Sequence, residues 1–164
     1  MIRELKLRIA IIGTSRSAPS TDLLAEKVGF LIATNGAILL CGGLGGVMEA
    51  AARACKQAGG TTIGILPGDS DREANRYIDI PIVTGLGEAR NLVLIRSSHA
   101  VVAVGGGYGT LSELGFALRL EVPVVGLKTW KFESPPGPHA DLHYARSADE
   151  AVQKALQLAR EKLR

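Results

Sequence analysis

The segment Val104-Gly105-Gly106-Gly107-Tyr108-Gly109-Thr110-Leu111-Ser112-Glu113 sets four glycines in five positions between an apolar run and an amphipathic one. Few local folds accommodate this. A buried strand emptying into a glycine turn that opens a helix is the one that does. In that arrangement the free amides and the positive end of the helix dipole face the same space, which makes an anion site. Thr110 adds a hydroxyl for a phosphate oxygen. Thr110 and Glu113 also spell a capping box, which needs no ligand. That alternative accounts for two residues and leaves the glycines unexplained.

The rest of the chain repeats the alternation of apolar and amphipathic runs, the pattern of successive βα units and a parallel sheet. Strands are expected over Leu7–Ile12, Ala37–Leu40, Thr61–Leu66, Ile80–Val83, Ala100–Val104, Val122–Leu127 and Leu142–Ala145. Pro81 makes the fourth of these weak, because proline lacks the amide that a ladder needs. Helices are expected over Thr21–Thr34, Val47–Ala58, Leu86–Ser97, Thr110–Leu120 and from Ser147 onward, with Ser147 and Glu150 as a capping pair. Asp69–Asp79 and the proline-rich Trp130–Ala140 read as loops. The expected fold is a single α/β domain over 1–164: a three-layer, Rossmann-like, mostly parallel sheet of six or seven strands with helices on both faces.

Right-handed crossovers bring the strand-to-helix loops of such a sheet to one edge, where ligands bind. Three loops with glycine fall there. Gly13-Thr14-Ser15 closes the first strand, and its hydroxyls either contact a ligand or only turn the chain. Gly42-Gly43-Leu44-Gly45-Gly46 follows the second strand. Glu49 just beyond it either faces the ligand or matches the helix dipole. The third loop is the one described first. The candidate ligand contacts are therefore Gly13, Thr14, Ser15, Gly42, Gly43, Gly45, Gly46, Gly106, Gly107, Tyr108, Gly109 and Thr110. Arg90 sits near a helix start, where a cation opposes the dipole unless an anion offsets it.

Several chemistries lack their residues. No Gly-Lys-Ser/Thr follows either long glycine loop, and no acidic residue ends the second strand to hold a ribose, so neither a Walker site nor NAD is expected. No G-x-S-x-G elbow is present. His139 and His143 are four apart but lie in or beside the proline-rich loop, and His99 stands alone, so no metal site is expected. Cys41 and Cys55 have no ligand spacing and read as reduced, buried thiols. Aromatics make up only 4% of the chain and the net charge is +3. Such a surface does not suit base stacking along a nucleic acid. No signal peptide or membrane span is legible, so a cytoplasmic protein is expected.

These motifs resemble those of the LOG-like proteins, long labelled lysine decarboxylases, and especially their short branch similar to molybdenum cofactor carrier proteins. The family hallmark Pro-Gly-Gly-x-Gly-Thr-x-x-Glu is matched from Gly106 to Glu113, with Gly105 where the proline stands. The resemblance extends to Gly13-Thr14-Ser15, to Gly42 through Met48, to the strand from Gly60 to Pro67, and to Arg90. It implies hydrolysis of the N-glycosidic bond of nucleoside 5′-monophosphates. In that scheme Gly106, Gly107, Gly109 and Thr110 hold the phosphate, Glu113 is catalytic, and Arg90 orients Glu113 or the substrate. The alternative it implies is a non-catalytic carrier or sensor of molybdenum cofactor or a related phosphorylated ligand. A second departure is Asn91, where the family pairs its arginine with lysine. No cofactor is required; the bound ligand would be a nucleoside monophosphate or molybdenum cofactor. The only partner expected besides that ligand is a second or further copy, in a homodimer or homotetramer. No lysine stands in a pyridoxal-phosphate setting, so a decarboxylase is not expected.

Overall fold

The computed structural model describes residues 5–131, 133 and 142–163. Seven strands form one sheet: β1 Arg8–Gly13, β2 Ile38–Cys41, β3 Thr62–Leu66, β4 Ile80–Val83, β5 Ala100–Val104, β6 Val124–Leu127 and β7 Leu142–Tyr144. Their order is β4-β3-β2-β1-β5-β6-β7, and every neighbouring pair is parallel. The helices are α1 Pro19–Thr34, α2 Val47–Gln57, α3 Arg90–Arg96, α4 Tyr108–Arg119 and α5 Ala148–Lys162. This is the three-layer, Rossmann-like architecture read from the sequence.

The alternation of side chains along β1 builds both layers. Ile9 and Ile11 pack with α1, α2 and α5, while Ala10 and Ile12 pack with α3 and α4. All four are at most 1% exposed. A buried isoleucine contributes roughly 1.5–3 kcal/mol over an exposed one, so this strand anchors the fold from its centre. β5 is buried at every position, as a central parallel strand must be. β4 is an edge strand, so the amide missing at Pro81 leaves the interior of the sheet intact.

Helix boundaries follow local chemistry. α1 begins at Pro19, earlier than the expected Thr21, because the fixed backbone of proline suits a first turn. The Ser147 hydroxyl accepts from the Glu150 amide at 3.2 Å, and the Glu150 carboxylate accepts from the Arg146 amide at 2.9 Å. Gly29 lets α1 and α2 meet backbone to backbone: a Cβ there would lie 2.1 Å from the Ala51 carbonyl oxygen. The Leu86–Ser97 helix is shorter than expected, since Gly87–Ala89 forms a 3-10 turn ahead of α3. In the loop read over Trp130–Ala140, residue 132 and residues 134–140 lie outside the described residues, and so does His139.

Candidate ligand-binding crevice

The strand order reverses between β1 and β5, whose last residues Gly13 and Val104 are paired. A sheet of this kind opens a crevice at that reversal, outside the carboxyl ends of its strands. The crevice here has a volume of about 550 Å³, within the range of small-molecule sites. Its walls come from the turn after β1 (Gly13, Thr14, Ser15), the loop and first turn around α2 (Leu44, Met48), and the segment after β3 (Pro67). The 3-10 turn and α3 supply Gly87, Glu88, Arg90 and Asn91, and the start of α4 supplies Gly107 to Thr110, Ser112 and Glu113.

The helix at the heart of the hallmark starts at Tyr108, with Gly107 as its N-cap and no side chain capping it. The capping box spelled by Thr110 and Glu113 therefore does not form. First-turn amides have no intrahelical acceptor, so those of Tyr108, Gly109 and Thr110 remain available to a ligand. Gly107 and Gly109 have empty space where a Cβ would stand. Nothing in the protein demands glycine at these two positions, and both face the crevice. Glycine there lets a ligand approach the backbone closely.

Arg90 is the first residue of α3 and only 8% exposed. Its Nε and Nη1 are buried without a hydrogen-bond partner. Burial draws the guanidinium below its ordinary pKa, and the neighbouring Glu113 works the other way. Glu113 is 7% exposed, and burial pushes its carboxyl up to about 7 against the opposing pull of Arg90. The Thr110 hydroxyl is likewise buried without a partner. Buried polar groups ordinarily find partners. Here a cation, a hydroxyl and a helix terminus are left incomplete around one space. Asn91 is better satisfied, donating to the Ser112 hydroxyl at 3.3 Å.

Five of the glycines proposed from sequence stand behind the walls. A Cβ at Gly42 would lie 2.1 Å from Arg90 Nη1, so Gly42 makes room for the guanidinium. Gly43 packs on Leu66, and Gly45 faces the Ser15 carbonyl. Gly46, the N-cap of α2, crowds the Thr14 carbonyl, which accepts from the Val47 amide at 3.0 Å. Gly106, with φ +121°, leaves room for the Thr110 side chain. Glu49 lies in the first turn of α2 and does not line the crevice. Gly105 adopts φ +57° and donates its amide to the Leu127 carbonyl, two things a proline cannot do. The loop is thus built around the departure from the hallmark.

Leu44, Met48, Pro67, Gly87 and Glu88 join the crevice without having been marked from sequence. The Gly85-Leu86-Gly87 spacing just before Arg90 was the available signal, since both glycines have positive φ. The remaining groups do other work. His99 accepts the Arg8 amide through Nδ1 at 3.0 Å. Among the described residues no cluster of His, Cys, Asp and Glu could hold a metal ion. Cys41 and Cys55 are free and buried, and burial pushes their thiols up to about 12 and about 11. No described helix is long and apolar enough to cross a membrane.

An all-parallel sheet with helices on both faces and a crevice at its topological reversal defines a Rossmann-type α/β domain. The chain belongs to the SLOG cluster4 family, whose model matches residues 6–159. It is 41% identical over 146 residues to an uncharacterized protein of Archaeoglobus fulgidus, covering 89% of this chain and 92% of that one. The molybdenum cofactor carrier protein of Chlamydomonas reinhardtii superposes with a TM-score of 0.85 at 40% identity, over 94% of this chain and 98% of that one. The molybdenum cofactor binding protein of the phototrophic bacterium Rippkaea orientalis superposes with a TM-score of 0.84 at 34% identity, with the same coverage. The LOG-like resemblance read from the motifs is borne out.

Proposed function

We propose that the crevice binds molybdenum cofactor or a related phosphorylated pterin, and that the protein carries this ligand unchanged. The observation that carries the reading is the incomplete polar set: buried Arg90 and Thr110 without partners beside the uncapped start of α4. An anionic oxygen cluster supplies what each of them lacks, charge for Arg90 and acceptors for Thr110 and the first-turn amides. The likeness to two proteins named for molybdenum cofactor binding, at 34% and 40% identity over 94% of the chain, supports the pterin class. Thr14 and Ser15 line the opposite wall and offer hydroxyls to the same ligand. Native mass spectrometry of the purified protein, with thermal shifts against 6-hydroxymethylpterin phosphate and its dephosphorylated form, tests this. The expected result is a shift with the phosphorylated probe alone. Equal responses to the two forms would remove the phosphate from the reading.

One observation favours a second reading, hydrolysis of nucleoside 5′-monophosphates. Glu113 titrates near neutrality inside the crevice, where a carboxyl can exchange a proton with substrate. Water would add to the anomeric carbon as the N-glycosidic bond breaks, and the leaving base would take up a proton. The products are free base and ribose 5-phosphate. Chromatography after incubation with AMP, comparing wild type with Glu113→Gln, separates the two readings.

A further inference from the structure

Tyr108 is 83% exposed, the most exposed large hydrophobic side chain among the described residues. It opens α4 and lines the crevice. Trp130 stands beside it, with ring centroids 6.1 Å apart and planes inclined by 34°. Three hydrogen bonds hold Trp130 there. Its Nε1 donates to the Gly107 carbonyl at 3.2 Å, the neighbouring Thr129 hydroxyl donates to the Gly105 carbonyl, and the Tyr144 hydroxyl donates to the Trp130 carbonyl at 3.1 Å. The chain after β6 is thereby tied to the glycine turn itself. Trp130 is thereby held close to the first-turn amides, and the Tyr108 ring packs beside it.

Tyr108 lines the crevice and Trp130 packs beside it, so an exposed aromatic face stands next to the polar groups of the site. We propose that Tyr108 and Trp130 form a shelf, with Tyr108 on the crevice and Trp130 beside it, that stacks the conjugated heterocycle of the ligand, while its phosphate end lies over the start of α4. This rests on the phosphate reading above and concerns the part of the ligand that is not phosphate. Stacking selects for a conjugated ring and tolerates different ring edges, so purines and pterins both qualify.

Trp130 is the single tryptophan of the chain, so tryptophan fluorescence reports from the shelf alone. The test titrates the protein with AMP, 6-hydroxymethylpterin phosphate and ribose 5-phosphate, following fluorescence and calorimetry. AMP or the pterin phosphate is expected to bind about tenfold or more tighter than ribose 5-phosphate and to quench Trp130, in keeping with the strength of base–aromatic stacking. Which of the two wins identifies the heterocycle. In Tyr108→Ala that preference should fall to near unity, and in Tyr108→Phe it should persist. A preference that survives Tyr108→Ala overturns the shelf, and so does its absence from wild type. Arg90→Met reports on the phosphate reading separately: ribose 5-phosphate binding unaffected by this change overturns that reading while leaving the ring preference to be scored. If none of the three probes binds, both proposals fall.

Discussion

The Arg90 guanidinium rests against the α-carbon of Gly42, so closely that a methyl group on that carbon would stand 2.1 Å from Nη1. The end of β2 is thus shaped to the side chain that opens α3. Replacing Gly42, which does not itself line the crevice, with alanine should displace Arg90. The expected outcome is a loss of ribose 5-phosphate affinity close to that of Arg90→Ala, with a lowered melting temperature. In the Arg90→Ala background the same change should cost far less stability, because the clash partner is gone. A double-mutant cycle by thermal melts and calorimetry measures this coupling.

Arg90 itself should matter more for binding than for folding. A charge-assisted hydrogen bond contributes about 1.5–3 kcal/mol, so Arg90→Met should weaken binding of ribose 5-phosphate roughly 10- to 150-fold. Measured at about pH 6, where Glu113 is largely protonated and no buried carboxylate is left unpaired, removing a buried cation whose Nε and Nη1 lack partners should leave the melting temperature unchanged or raised. Calorimetry and a thermal scan on the same preparation check both halves.

Glycine at position 109 should likewise trade stability for binding. Nothing occupies the space of its missing Cβ, and it lies inside the first turn of α4. Gly109→Ala should stabilise the fold by about 0.4–1 kcal/mol through the unfolded chain. The same methyl should obstruct a ligand over the amides and weaken its binding. Opposite signs in melting temperature and affinity are the expected signature.

The pH dependence follows from Glu113. Burial raises its carboxyl from an ordinary 4.5 to about 7, so between these values the folded protein holds a proton that the unfolded chain has lost. Stability on this account falls as pH rises through that window, by on the order of 3 kcal/mol. Glu113→Gln should flatten the decline and be more stable than wild type above pH 7. Affinity for a phosphorylated probe should also drop as Glu113 ionises, and the glutamine variant should not show that drop. Denaturant melts and titrations from pH 5 to 8 would reveal both.

Much of this was legible from local pattern. The apolar runs Leu7–Ile12 and Ala100–Val104 marked buried strands, because burial on both faces leaves that trace. Pro81 marked a weak strand by its missing amide, and the sheet places that strand at an edge. The division of labour among the glycines was not legible. Gly42 and Gly106 serve neighbouring side chains, Gly107 and Gly109 face open space, and all four look alike in sequence. The difference lies in contacts between residues far apart along the chain, such as Gly42 with Arg90. Glu88 and Met48 reached the crevice for the same reason, through loop paths that composition does not encode.

The backbone contact between Gly29 of α1 and Ala51 of α2 has a consequence for how the crevice can adapt. The turn after β1 leads into one of these helices and bonds to the start of the other through Thr14 and Val47. That side of the cleft is therefore a fixed jaw. Opposite it, Gly85 and Gly87 have positive φ, and their amides donate to the carbonyls of Gly68 and Pro67 at 2.8 and 2.9 Å. A ligand of different bulk would meet that second jaw, which those two hydrogen bonds hold, which carries Glu88 and which leads directly into Arg90.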